Sequence, residues 1–272
     1  MANKAIKYRL YPTQEQAVMF AKTFGCCRKV YNLMLADKID SYQKTGKFAQ
    51  VTPARYKEEH PYLKEVDSLA LANKQIDLEK AFSNRFSKTR KKRAGFPKFK
   101  SAKHSRKSYT TNNQKGTVAL FDDGIKLPKI GKVKAIIHRP PEDGWIIMSA
   151  TVSQESDGKY YASVLFEFDA PECSYTVDIG NAIGLDYASD GLYVDSNGHK
   201  GTNHAFYRES HDKLAKEQRR LSRKKGSGKG ETKSKNYLKQ LRKVNKIHRH
   251  IANQWHGQRT IATYTELMFL EQ

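Results

Sequence analysis

Between Lys4 and Tyr11 the side chains alternate, with Ile6, Tyr8 and Leu10 set between basic and polar neighbours. This is the two-residue period of a half-buried strand. Pro12 stops the run, and Thr13 followed by Glu15 and Gln16 reads as a helix N-terminus with Thr13 as its cap. From Gln14 to about Lys44 the apolar residues return at helical spacing, through Ala17, Phe20, Ala21, Phe24, Val30, Tyr31, Leu33 and Met34. The spacing predicts one long helix, or two joined near Gly25. Thr52-Pro53 opens a further segment. Leu69 to Phe86 is again amphipathic, with Ala72, Ile76, Leu78 and Phe82 on its stripe.

Residues 108 to 168 change to short strand-like runs: Thr117–Phe121, Gly124–Leu127, Val133–Ile137, Trp145–Gln154 and Tyr160–Phe168. Asp-Gly turn signals end at Gly124, Gly144 and Gly158. Strands so spaced predict an antiparallel barrel or sandwich. The stretch from Phe168 to Glu172 reads as a linker. Beyond it, Ile183 to Gly198 (IGLDYASDGLYVDSNG) has the form strand, turn, strand, turn, because Asp-Gly and Asn-Gly accept the positive φ angles of tight turns. Asn203–Phe206 is expected to add a strand. Arg208 to Arg249 then reads as two helices joined by a glycine-rich hairpin, with Leu214, Leu221, Leu238, Leu241, Val244, Ile247 and Ile251 as the apolar stripe.

Composition narrows the class. The chain has 272 residues, room for two modest domains, with 38% hydrophobic and 29% charged residues. Fifty basic against 28 acidic residues give a net charge of +22, which points to a polyanionic partner, nucleic acid before a membrane surface. No long apolar segment, signal peptide or lipidation motif is present, so a cytoplasmic location is expected. Cys26, Cys27 and Cys173 make neither a disulfide framework nor a zinc quartet, and the adjacent pair reads as small helix-packing residues.

The charge is concentrated. Arg85, Lys88, Arg90, Lys91, Lys92, Arg93, Lys98 and Lys100 belong to a block running to Lys107 without one acid. Such density repels itself unless phosphates neutralise it. Phe96 and Phe99, interleaved there, read as anchors of the loop. The second block carries Arg219, Arg220, Arg223, Lys224, Lys225, Arg242, Lys243 and Lys246. His248 and His250 read as solvated or facing nucleic acid, and the Gly-Ser-Gly-Lys-Gly run at 226–230 lacks the spacing of a phosphate loop.

Asp186 is a carboxylate among strand residues, costly if buried and unpaired. On its own it reads as a strand-end residue that caps a turn or faces solvent. The stretch GLDYASDGLYVDSNG (184–198) nevertheless resembles the first motif of RuvC-type nuclease domains, in the version of the TnpB proteins of insertion sequences. YPTQEQ (11–16), GCCRKVYN (25–32) and AGFPKFK (94–100) resemble that family's N-terminal region in the same order. The resemblance implies an α+β fold. An oligonucleotide-binding-like wedge barrel (1–12 and 95–172) would carry an inserted helical recognition lobe (13–94), and a ribonuclease H-like RuvC domain (173–272) would follow. It also implies guide RNA and target DNA as partners, and Mg²⁺-dependent DNA cleavage with Asp186 as the first metal-binding carboxylate.

Leu267 to Leu270 followed by Glu271 resembles the strand that ends in the family's second catalytic carboxylate. The family's four-cysteine zinc ribbon and third motif have no counterpart in these 272 residues, so the RuvC domain is expected to be incomplete and cleavage weak or absent. The other readings are a nuclease-dead, RNA-guided DNA-binding repressor, a general RNA-binding protein of the translation machinery, and a decayed product without function.

Overall fold

The structure is a computed structural model that describes residues 1–87, 94–103, 105–169, 184–186, 193–201, 206–226, 228 and 232–269. The chain divides into two compact units, Met1–Pro171 and Glu172–Gln272.

The first unit is a seven-stranded antiparallel sheet with two helices. Its strands are β1 (Ala2–Tyr11), β2 (Lys107–Asn112), β3 (Ala119–Phe121), β4 (Gly124–Leu127), β5 (Gly131–Ile136), β6 (Ile146–Gln154) and β7 (Tyr160–Phe168), in the spatial order β2-β6-β7-β1-β5-β4-β3. β1 is central and pairs with β7 along almost its whole length, from Ala2↔Phe168 to Leu10↔Tyr160, and with β5 at its far end. Its alternation has the expected effect: Ile6, Tyr8 and Leu10 are buried while Lys7 and Tyr11 are exposed.

The sheet has two edges, β2 and β3, yet these strands are consecutive in the chain. A flat sheet would hold them about 29 Å apart, whereas the link from Asn112 to Ala119 reaches at most about 24 Å. The sheet must therefore curl. β2 is the strand that the sequence pattern did not announce. Its KSYTTN is polar by composition, and only Tyr109 and Thr111 turn inward.

Helix α1 (Gln14–Thr45) is continuous through Gly25, which settles the one-or-two question in favour of one. Thr13 Oγ1 accepts from the Gln16 amide while the Gln16 side chain accepts from the Thr13 amide, a reciprocal cap. Gln16 Nε2 also donates to the Lys132 carbonyl at 2.9 Å, fixing the helix start to β5. At the other end Gly46 adopts φ +69° and its N–H bonds to the Tyr42 carbonyl. Helix α2 (Ser68–Phe86) begins at Asp67, whose carboxylate accepts from the amides of Leu69 and Ala70. The Thr111 hydroxyl donates to the same carboxylate, so one side chain caps α2 and ties it to β2. Cys26 and Cys27 are buried in α1, as expected of packing residues.

The second unit contains the pair β8 (Leu185–Asp186) and β9 (Val194–Asp195), then α3 (Phe206–Ser222) and α4 (Lys235–Phe269). Phe206, placed in a strand by its local pattern, opens α3 instead; 202–205 lie outside the described residues. The helices pack through Leu214, Tyr237, Gln240 and Val244. Leu238 is a correction. It is 42% exposed, because Tyr237, Gln240 and Val244 set the buried stripe of α4 at three- and four-residue steps, and Leu238 falls off it.

Candidate nucleic-acid interface

Gly184 to Gly201 gives the hairpin its shape. Leu185 faces Asp195 and Asp186 faces Val194 across β8–β9. Asp195 organises the following turn, accepting at Oδ1 from the amides of Asn197 and His199 at 2.9 and 2.8 Å, with Oδ2 2.9 Å from His199 Nδ1. Burial pushes its carboxyl up, but the His199 amide and ring and the Asn197 amide outweigh that and hold it below its usual range. Gly198 takes φ +83° in this turn, as the Ser-Asn-Gly pattern requires. Asp195 is thus committed to its turn, and Asp186 on the neighbouring strand is exposed. The burial cost that would single Asp186 out does not arise.

A divalent hard cation needs several oxygen ligands. Among the described residues no three His, Cys, Asp or Glu side chains gather to hold a metal ion. Asp186 by itself does not fit one. Glu271, the other carboxylate assigned from sequence, lies outside the described residues.

The second basic block forms a surface. Arg219, Arg220, Arg223, Lys224 and Lys225 are exposed at the end of α3 and just past it, and Arg242, Lys243 and Lys246 are exposed on α4. Their order comes from the packing beneath. Gln240 Nε2 donates to the Glu217 carbonyl at 3.1 Å and to its carboxylate, and Arg220 Nη1 reaches that carboxylate at 2.7 Å. The Gln240 hydrogen bond, with the charge of Arg220, holds the Glu217 carboxyl below its usual range. At the connection Gly226 has φ +91°, and a methyl there would stand 2.6 Å from the Thr232 carbonyl oxygen. Lys233 caps the turn from above, its ammonium 4.1 Å from the Tyr237 ring and 3.3 Å from the Gly226 carbonyl. His248 and His250 are exposed.

The first block divides differently. Lys88, Arg90, Lys91, Lys92 and Arg93 lie outside the described residues. Arg85 Nη1 donates to the Ala94 carbonyl at 3.4 Å, so it serves the loop it opens. Lys98 is exposed. Lys100 is held by the protein: its backbone exchanges hydrogen bonds with the Asn32 side chain, and its ammonium sits 3.7 Å above the Tyr31 ring. Phe96 meets Phe82 edge-on at 5.5 Å and anchors the loop, whereas Phe99 is 58% exposed and does not.

Sequence reasoning passed over cations that the fold brings together. On the outer face of the sheet Lys7 lies 4.6 Å from the Tyr161 ring, and Arg9 lies 5.2 Å from Tyr11 and 5.1 Å from Tyr161. Basic groups layered with rings suit phosphates and unpaired bases. Lys74 is buried on the apolar stripe of α2 with Ala70, Leu71 and Leu78, and Lys38 is buried on that of α1. A charge on an apolar stripe was the available signal. Lys38 is satisfied internally by Glu79 at 2.9 Å and the Ala49 carbonyl at 3.0 Å.

Among the described residues no helix is long and apolar enough to cross a membrane. The family described as Helix-turn-helix domain matches residues 1–47. Within that span the fold is a strand and one unbroken helix. A "Putative RNA-guided DNA endonuclease" of Streptomyces pristinaespiralis is 32% identical over 265 residues, covering 92% of this chain and 60% of that protein. A "Putative RNA-guided DNA endonuclease InsQ" of Escherichia coli (strain K12) is 29% identical over 257 residues, with the same coverages of 92% and 60%. The chain thus spans 60% of the length of these curated relatives. In the solved structure "Cryo-EM structure of the Cas12f1-sgRNA-target DNA complex" a protein chain aligns with TM-score 0.49 at 11% identity, covering 93% of this chain and 77% of that one. For "Cryo-EM structure of CRISPR-Cas12f Ternary Complex" the TM-score is 0.39 at 12% identity, with coverages of 95% and 61%.

Proposed function

We propose that this chain, which belongs to the TnpB family, binds a structured guide RNA from a transposon end and the DNA that the guide selects. The observation that carries the reading is the α3–α4 hairpin. Arg219, Arg242, Lys243 and Lys246 are exposed on two helices, and Arg223 just past the first, while the packing between the helices is fixed by other residues, which leaves their charge for phosphates; Arg220 is shared with Glu217. The relatives from Streptomyces pristinaespiralis and Escherichia coli, each named a putative RNA-guided DNA endonuclease, support an RNA-guided role.

In this reading the curled sheet corresponds to the family's wedge, α1 and α2 to its recognition lobe, and residues 173–272 to part of its RuvC domain. Asp186 and Glu271 are two of the carboxylates for Mg²⁺, which when bound supplies an activated water for phosphodiester hydrolysis. Asp186 is the one described residue of that set, and a polypeptide of these 272 residues is proposed to bind without cutting, or to cut weakly.

The test is a binding assay on the 272-residue polypeptide with transposon-end RNA against an unrelated structured RNA of equal length, followed by incubation of the complex with matching DNA in magnesium. Preferential binding of the transposon-end RNA is expected, with little DNA cut. Equal affinity for both RNAs would replace this reading with general RNA binding. Efficient cutting that persists in Asp186→Ala would remove Asp186 from the chemistry.

A further inference from the structure

Between α1, α2 and the segment leading into β2 lies a cavity of about 270 Å³, wholly within the first unit. Its wall holds Arg28, Lys74, Lys100, Arg106 and Lys107 against a single carboxylate, Asp77. Asp77 is spent on Lys74, 2.6 Å from its ammonium. Among the described residues Arg106 lies 3.9 Å from Glu155, and Lys107 donates to the uncharged Gln154. Lys74 is 7% exposed. Burial lowers the pKa of Lys100, and the like charge of Lys74 lowers it further. Cys27, also in the wall, is kept a neutral thiol by burial, which pushes it up to about 12. Among the residues that line the cavity, five cations thus face one carboxylate, and that one is engaged by Lys74.

Cations gathered on one wall, one of them buried, and outnumbering their carboxylate favour an anion that brings several acceptor oxygens. The hydroxyls of Ser105 and Ser108 also line the space and add neutral donors. We infer that the cavity is a phosphate site, with Arg28, Lys100 and Lys107 as its principal donors and Lys74, held by Asp77, as a fixed charge at its back. The volume approaches the ~300 Å³ lower range of small-molecule sites, more than a bare phosphate fills, and suits a phosphate still attached to a sugar. The inference rests on the nucleic-acid reading only for the source of the phosphate. The cations and their geometry stand apart from the α3–α4 surface.

The experiment is thermal unfolding of the 272-residue chain with inorganic phosphate against sodium chloride at matched ionic strength. Phosphate at about fivefold over its Kd is expected to raise the midpoint by about 2–4 °C beyond chloride. Arg28→Gln with Lys100→Gln should lose that difference, while Arg242→Gln with Lys246→Gln should keep it. Should the double variant not fold, the exposed Lys107→Gln alone should weaken phosphate binding several-fold. No phosphate-specific shift in the native chain, or a shift that survives these cavity variants, overturns the site.

Single-stranded oligonucleotides with and without a 5′-phosphate then identify the source. A 5′-phosphate preference lost in the cavity variant assigns a terminal phosphate. Equal binding of both, with a salt slope lower by about 2 in the variant, assigns the backbone. A phosphate shift with no change in oligonucleotide binding assigns the free ion. A chain that shows the phosphate shift but binds no nucleic acid keeps the cavity and loses the function proposed above.

Discussion

Gly25 lies mid-way along α1 with ordinary helical backbone, and a methyl added there meets nothing within 4 Å. Gly25→Ala is therefore expected to stabilise the first unit by about 0.5–1 kcal/mol, since glycine loses more backbone freedom in a helix than alanine does. A higher midpoint in urea at unchanged slope would confirm it, and a lower one would show that the site needs glycine for contact. Asp67 is the opposite case. Its carboxylate satisfies two helix amides and the buried Thr111 hydroxyl, so Asp67→Ala removes a cap and strands a donor in one step. The expected cost is about 2–3 kcal/mol, the sum of a lost cap and an unsatisfied buried hydroxyl, read from the same urea transition. Asp67→Asn, which keeps the cap oxygen, should recover part of it.

At the scale of elements, α3 and α4 are joined by polar chemistry as much as by apolar packing. Because Gln240 and Arg220 hold the Glu217 carboxyl below its ordinary value, the deprotonated form is the one the fold prefers. The sign follows: this contribution is present above the ordinary carboxylate range near pH 4.5 and is lost as pH falls through the lower folded-state value. Glu217→Gln should flatten the acid limb of helix melting followed by circular dichroism, and an unchanged limb would assign the acid sensitivity elsewhere. Gly226→Ala should loosen the same hairpin, since its positive φ and the Thr232 carbonyl both oppose a side chain.

These elements also mark what was legible in the sequence. β1, α1 and α2 follow from strict alternation and helical spacing, with the Thr13 cap legible and the Asp67 cap not; local pattern and tertiary burial agree along most of them, although Ile76, on the expected stripe of α2, is 46% exposed. β2 was not legible, because a strand of Lys, Ser, Thr and Asn is made by its ladder with β6 rather than by its own hydrophobicity. Lys100 read as one of a phosphate-contacting block and Lys74 drew no reading, since only the fold shows that α2 and the return of the basic block line one cavity. Asp186 was singled out by motif, and of the two local readings, capping a turn or facing solvent, the structure shows it exposed.

For the molecule as a whole, a net charge of +22 acts in opposite directions on stability and on binding. In the free chain, exposed cations such as Arg219, Arg220, Lys224 and Lys225 repel one another. Salt shortens the range of that repulsion from about 30 Å at 0.01 M to about 8 Å at 0.15 M. The unfolding midpoint of the free chain should therefore rise as sodium chloride is added across this range. Binding should run the other way, since each phosphate contact releases counterions and lowers log K by about 0.7–0.9 per tenfold rise in salt. Replacing Arg242, Lys243 and Lys246 with Gln should then reduce the salt slope of RNA binding by about 2–3 and lessen the rise in midpoint that salt gives the free chain. If the slope is unchanged while the midpoint shifts, those side chains repel one another but do not meet the nucleic acid, and the interface must be moved to the first unit, where Lys7 and Arg9 lie against the rings of Tyr161 and Tyr11.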